Sequence, residues 1–159
     1  MDTIEASGRA AGFRFALVVS KYNDFVTDRL QAGALAALSS AGVAPTDVTV
    51  VRVPGAFEIP LAARYLAASG RHDAVVCLGC LIKGDTMHFE YIAEAVSHGI
   101  MAVSADTGVP VTFGVLTTLT AEQAVARAAD GPDNKGREAA LAAVEMATIV
   151  QAIGGLGQA

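Results

Sequence analysis

Tryptophan is absent from this chain, and aromatic residues fill only 6% of its 159 positions. No cluster of Lys or Arg interleaves with them. With a formal net charge of −5 and a pI near 5.0, the sequence lacks the basic stripe that a nucleic-acid partner calls for. Cysteine is equally scarce. Two residues make no disulfide framework, so a reducing, cytoplasmic setting is expected. Charged residues make up 17% of the chain, below the roughly 25% of ordinary soluble domains. Even so, the patterning speaks against a membrane span. The longest uncharged stretch runs from Leu30 to Thr46, and Ser39, Ser40, Gly42 and Pro45 interrupt it. The opening MDTIEASGRAAG has no apolar core of the signal-peptide kind.

What the chain has in excess is apolar. Its hydrophobic fraction is 53% before any of its 16 Gly is counted, whereas ordinary domains hold about 45–50% with glycine included. That balance excludes disorder, which needs low hydrophobicity and high charge. The length suits one domain with a real core, and the surplus apolar surface implies an oligomer that buries it.

Periodicity divides the chain into alternating strands and helices. FRFALVVS (13–20) is a short β-rich apolar run, and Asn23 or Asp24 can cap the helix that follows to Gly42. DVTVVRV (47–53) is a second strand, closed by Pro54-Gly55, and a helix over about 57–68 carries Pro60 in its first turn, where proline forfeits no bond. AVVCLGCLI (74–82) is apolar on both faces, as a strand covered on both sides must be. Phe89, Ile92, Ala93, Val96, Ile100 and Val103 trace one face of a long helix that tolerates Gly99. VTFGVL (111–116) is the fourth strand, and Thr120-x-x-Gln123 is a capping box opening a short helix to about Ala129. After the turn-rich DGPDN, a last helix runs over about 135–153. The pattern is a βαβ chain with a parallel sheet wrapped by helices. Residues 1–12 form an arm, too short and polar to add much core, that projects onto a neighbour or frays. Residues 13–159 form a single domain.

In such sheets the ligand crevice lies beyond the carboxyl ends of the strands. Those ends read SKYN (20–23), VPGAFE (53–58), LIKGDTMH (81–88) and LTTLT (116–120), and they hold most of the unusual residues. Gly79-x-x-x-x-Gly84-Asp85-Thr86 has most of the outline of a phosphate-cradling loop. Asp85 stands where the lysine should be, and no second metal-binding carboxylate motif follows, which disfavours a nucleoside triphosphate. Two readings of the turn stay open. It offers backbone N–H groups and a positive helix end to one phosphate, or Thr86 is a plain helix cap.

Cys77-Leu-Gly-Cys80 matches a redox spacing, but a separation of three in a strand points the thiols to opposite faces. Two Cys and three scattered His give no metal-ligand spacing, so no zinc site is expected. His88, beside the Gly-Asp-Thr turn, is the natural proton exchanger, whereas His72 and His98 lie where a structural or solvated role is expected. Glu58 can serve the helix dipole, Tyr22 can stack on a flat heterocycle or be half-buried, and Arg127 and Lys135 can be solvated charges.

Five segments change that weighing. GAFEIPLAA (55–63), LGCLIKGDTMHFEYI (78–92), PVTFGVLTT (110–118), EQAVARA (122–128) and NKGREAALAAVEMA (134–147) together resemble the lumazine synthase family of riboflavin biosynthesis, in order and spacing, from about Phe13 to Val150. The resemblance implies a flavodoxin-like α/β/α sandwich around a four-stranded parallel sheet, with the N-terminal segment added to a neighbour's sheet. It implies condensation of 5-amino-6-(D-ribitylamino)uracil with 3,4-dihydroxy-2-butanone 4-phosphate to 6,7-dimethyl-8-ribityllumazine, phosphate and water, with no cofactor or metal. Carried over residue by residue, Tyr22 would stack on the pyrimidine, Ala56, Phe57 and Glu58 would hold the ribityl chain, and Cys80, Leu81 and Ile82 would meet the pyrimidine edge. Asp85 and Thr86 would bind the phosphate and His88 would give and take the proton. Phe113 and Arg127 would come from the adjacent subunit, one closing over the ring and one pairing with the phosphate, and Lys135 matches a family lysine near the pyrimidine. Tyr22 replaces a common Phe or Trp and keeps the stacking face. Lys83 replaces a frequent Arg, which puts any bidentate contact there in doubt.

The family forms homopentamers, and some members build decamers or sixty-subunit capsids. The short ADGPDN connection permits a capsid without requiring one. Two rivals remain at this point: a flavin- or lumazine-binding module, and a capsid-forming shell protein without turnover. Tight binding indifferent to His88 would mark the first.

Overall fold

The computed structural model describes residues 1–155. The last four residues of the expected 13–159 domain lie outside the described residues. Four strands, β1 (Phe15–Ser20), β2 (Val48–Val53), β3 (Ala74–Ile82) and β4 (Val111–Thr118), form one parallel sheet in the order β2-β1-β3-β4. The helices are α1 (Asp24–Ser40), α2 (Ile59–Ala68), α3 (His88–Thr107), α4 (Ala121–Arg127) and α5 (Lys135–Gly155).

Alternation along the strands builds two cores. Phe15, Leu17 and Val19 of β1 and Ala74, Val76, Leu78 and Cys80 of β3 point to the face covered by α1 and α5. Ala16, Val18, Val75 and Cys77 point to the face covered by α2 and α3. The result is the three-layer, flavodoxin-like α/β/α sandwich. The chain winds from β1 to β2 on one side, then crosses back over β1 to β3 on the other. That reversal leaves the crevice outside the carboxyl ends of β1 and β3.

Two glycines mark where helices come closest. A Cβ on Gly99 would sit 2.9 Å from the ring of Pro60, which explains the glycine that α3 carries in mid-helix. A Cβ on Gly136 would sit 2.0 Å from the Leu30 carbonyl oxygen, so α5 packs this closely on α1 only because position 136 carries no side chain. By length and mean hydropathy (1.2 over its most apolar window) α5 could cross a membrane. Here Ala139, Ala140, Ala143, Val144 and Ala147 pack it into the core.

Several boundaries differ from the sequence expectation. β1 starts at Phe15, because the Phe13 N–H turns back to the Ala10 carbonyl (3.1 Å). α2 starts at Ile59 after a 3-10 turn over Ala56–Glu58, and a second 3-10 turn over Pro45–Asp47 precedes β2. β4 extends to Thr118, α4 stops at Arg127 and α5 reaches Gly155. Asn23 precedes α1 but does not cap it with its side chain, since it takes the left-handed conformation (φ 61°) and its amide goes elsewhere. The arm adds more than expected at one point: Ala10 is fully buried and its N–H donates to the Ala41 carbonyl at 2.9 Å. The Ser7 N–H reaches the Thr148 hydroxyl at 3.0 Å, while residues 1–5 stay exposed.

Candidate active site

The carboxyl edge is stitched together by backbone and amide bonds between loops. After β1, the Lys21 and Tyr22 N–H groups donate to the Val53 and Pro54 carbonyls (2.8 and 3.1 Å). The Asn23 side-chain amide donates to the Cys80 carbonyl at 2.9 Å. Beyond β3, the Lys83 N–H donates to the Thr118 carbonyl at 2.9 Å. These bonds draw Tyr22, the Ala56-Phe57-Glu58 turn, the Cys80-Leu81-Ile82 strand end and the loop carrying Asp85, Thr86 and His88 to one edge of the sheet.

The members of this group differ in freedom. Tyr22 and Phe57 are 73% and 59% exposed, so both rings face solvent in the single chain. Ala56 and Cys80 are buried, and Leu81 and Ile82 are half-buried. Burial raises the Cys80 thiol to about 11 and pushes the Cys77 thiol higher still. The two thiols belong to opposite core layers, as a spacing of three requires. The Glu58 carboxylate accepts the Gly55 N–H at 2.9 Å, which fixes it over its own turn.

The Gly-Asp-Thr turn does not itself open the helix. α3 begins at His88, with Met87 as its N-cap and no side-chain cap. The Thr86 hydroxyl meets the His88 N–H only at 3.5 Å, a weak contact. No acceptor among the described residues meets the N–H groups of Gly84, Asp85, Thr86 or Met87. Four donors next to a 20-residue helix suit a small anion. Across this loop the Lys83 ammonium meets Glu90 Oε1 at 2.7 Å, and that hydrogen bond holds the Glu90 carboxyl below its usual range. The other oxygen, Oε2, is buried without a partner. Asn23 stood out in the sequence only as a helix cap and Glu90 not at all, because a charge pair between a loop residue and one seven positions on in a helix leaves no periodic trace.

A second group lies elsewhere. Phe113, Arg127 and Lys135 line a groove of about 360 Å³ between the edge strand β4 and the start of α5. Phe113 is 47% exposed and pairs in register with Cys77, three to five residues short of Cys80–Ile82. That is roughly 10–16 Å down the sheet at about 3.3 Å per residue. Arg127 donates to the Gln123 carbonyl of its own helix at 3.1 Å, and Lys135 pairs with Glu138 at 2.5 Å. One chain therefore presents two groups, the strand-end residues and the three that line the β4 groove, and that groove also takes in Leu116 and Thr117, the register partners of Cys80 and Leu81.

The remaining histidines behave as packing or solvent residues. His72 is buried between the Thr49 hydroxyl (3.2 Å) and the Leu66 carbonyl (3.3 Å), and His98 is exposed. Among the described residues no three His, Cys, Asp or Glu side chains gather to hold a metal ion.

The family model described as 6,7-dimethyl-8-ribityllumazine synthase matches residues 12–151. The chain belongs to the lumazine synthase family. The 6,7-dimethyl-8-ribityllumazine synthase of Desulfotalea psychrophila is 51% identical over 150 residues, which cover 94% of this chain and 97% of that protein. The enzyme of the same name from Syntrophus aciditrophicus is 52% identical over 144 residues, 91% of this chain and 94% of its own. A lumazine synthase joins an amine to a ketone and expels a phosphate. Both clusters bear groups suited to that work: flat aromatic faces, an imidazole and free amide donors in one, a guanidinium and an ammonium in the other.

Proposed function

We infer that this protein condenses 5-amino-6-(D-ribitylamino)uracil with 3,4-dihydroxy-2-butanone 4-phosphate, releasing 6,7-dimethyl-8-ribityllumazine, phosphate and water. The observation that carries this is family membership across nearly the whole chain, with a chemically suitable residue at each expected site position.

In the proposed site Tyr22 stacks on the pyrimidine while Ala56, Phe57 and Glu58 hold the ribityl chain and Cys80-Leu81-Ile82 meet the ring edge. The free amides at Asp85 and Thr86 take the phosphate. His88 removes and returns protons as the amine attacks the carbonyl, the phosphate departs and the ring closes. Most of the acceleration comes from holding two reactants in a reactive pose, worth up to roughly 7–11 kcal/mol. The imidazole and the charged phosphate clamp add to it.

Phe113, Arg127 and Lys135 are assigned to the site of an adjacent subunit. Support comes from the register position of Phe113, three to five residues short of the strand end, and from the open groove on an edge strand that the three residues share. We further propose a homopentamer as the working unit. Exposed Phe57, Leu61 and Tyr65, spaced four apart, and Tyr91 and Met101 of α3 supply apolar surface for such contacts. Light scattering distinguishes a pentamer from a capsid. The cytoplasmic setting remains part of the proposal, supported by two thiols kept apart on opposite faces.

The test of function is to mix both substrates with the protein and follow the fluorescent lumazine. Turnover above the uncatalysed rate is expected, with His88→Ala or Arg127→Ala slower by roughly ten- to a thousandfold. No product above background overturns the assignment.

A further inference from the structure

The connection between α4 and α5 has no assigned role, yet it joins Arg127, the last residue of α4, to Lys135, the first of α5. Both line the β4 groove. What fixes their separation is Asn134, which is 2% exposed. Its amide nitrogen donates to the Ala128 carbonyl at 2.9 Å, one residue past Arg127, and to the Arg29 carbonyl of α1 at 3.3 Å. Its amide oxygen accepts the Arg137 N–H at 3.0 Å, capping α5 at its third residue.

One buried side chain therefore closes the end of the helix that carries Arg127, opens the helix that carries Lys135, and anchors both to α1. The surroundings leave it no slack. A Cβ on Gly33 would lie 2.2 Å from the Asn134 amide oxygen, and Gly136 already abuts the Leu30 carbonyl. A loop merely closing a fold needs no such three-way tie, and among the described residues Arg127 and Lys135 have as polar side-chain partners only their own helix neighbours, the Gln123 carbonyl and Glu138.

We propose that Asn134 is a positioning residue that sets the spacing and direction of Arg127 and Lys135 toward the bound substrates. This rests on the assignment of those two cations to a substrate site. An aspartate here keeps the shape and the helix cap but replaces two N–H donors with an oxygen facing two carbonyls. A serine keeps the cap alone.

The test compares Asn134→Asp, Asn134→Ser and Val144→Ala, a core truncation in α5 ten residues further along the chain, as assembled full chains well below their melting temperatures. Each Asn134 variant is also measured in an Arg127→Ala/Lys135→Ala background. The expected result is that Asn134→Asp lowers kcat/KM by roughly ten- to a hundredfold, as slight misplacement of a distant group does. Added to the background it should change kcat/KM by less than about twofold, because the groups it positions are gone. Val144→Ala should lower Tm without altering kcat/KM. If Asn134→Asp does not assemble, Asn134→Ser decides by the same criteria. Unchanged kcat/KM in the Asn134 variants, or a loss that persists in full in the background, overturns the proposal. If Arg127→Ala and Lys135→Ala themselves leave kcat/KM unchanged, the proposal falls with the assignment of the site, and that cause is visible separately.

Discussion

Burial pushes the Cys80 thiol up to about 11, which leaves very little thiolate to act as a nucleophile in neutral solution. The Cys80 sulfur is turned into the core, while its carbonyl accepts the Asn23 amide at 2.9 Å. Native protein at neutral pH should therefore react slowly with a thiol reagent and give both thiols rapidly once denatured, as absorbance of the released chromophore would record. The pH dependence has a definite sign. Burial raises the folded thiol from about 9 to about 11, so its stability contribution is intact below pH 9 and is lost as pH climbs toward 11. The alkaline fall in Tm should be smaller in Cys80→Ala than in the parent. Glu90 behaves in the opposite way. Its carboxyl is lowered by Lys83, so that contact persists above the ordinary carboxylate range and is lost on acidification. Lys83→Met should return the Glu90 carboxyl toward its usual value in an NMR titration. At this scale His88, Tyr22 and Glu58 were legible because reactive or aromatic types fall at strand ends. Asn23 was legible only as a helix cap and Asn134 not at all, because such an amide is recognised by the carbonyls it meets, and those of Cys80 and Arg29 come from distant segments.

Among the elements, the unbroken apolar run of β3 announced a strand covered on both faces, and its alternate side chains indeed enter two core layers. The boundaries were less legible where local hydrogen bonding competes with the periodic pattern. The turn over Ala56–Glu58 delays α2, with the Glu58 carboxylate held by the Gly55 N–H. The Thr120 capping box is half as expected: its hydroxyl accepts the Gln123 N–H at 3.2 Å, while the Gln123 side chain serves Leu119 rather than Thr120. Thr120→Ala should cost about 1 kcal/mol in denaturant unfolding. Glycine 99 looked merely tolerated from the pattern, yet it and Gly136 are required by backbone and ring contacts that periodicity does not register. Gly136→Ala should destabilise by roughly 1–3 kcal/mol or more, because the obstructing atom is backbone and cannot swing aside. Gly154→Ala, which meets nothing within 4 Å among the described residues, should be neutral or slightly stabilising when melted at the same protein concentration.

For the molecule as a whole, the apolar excess in the composition has become a set of exposed side chains. Tyr22, Phe57, Leu61, Tyr65, Tyr91, Met101 and Phe113 all stand out from a chain whose own core is already filled. Several belong to the proposed site and the rest to helix faces without a partner in the single chain, which is why composition could announce an oligomer but not its contacts. The central claim is that each site combines the His88 edge of one subunit with the Arg127 groove of the next. Co-assembling His88→Ala with Arg127→Ala subunits tests it most directly. Each variant alone should be nearly inactive. Unfolding the two together and refolding them as a mixture should restore about a quarter of wild-type turnover, since random pairing in a cyclic assembly joins an intact edge to an intact groove at that frequency. A mixture no more active than the sum of its parents would contradict a site shared between subunits.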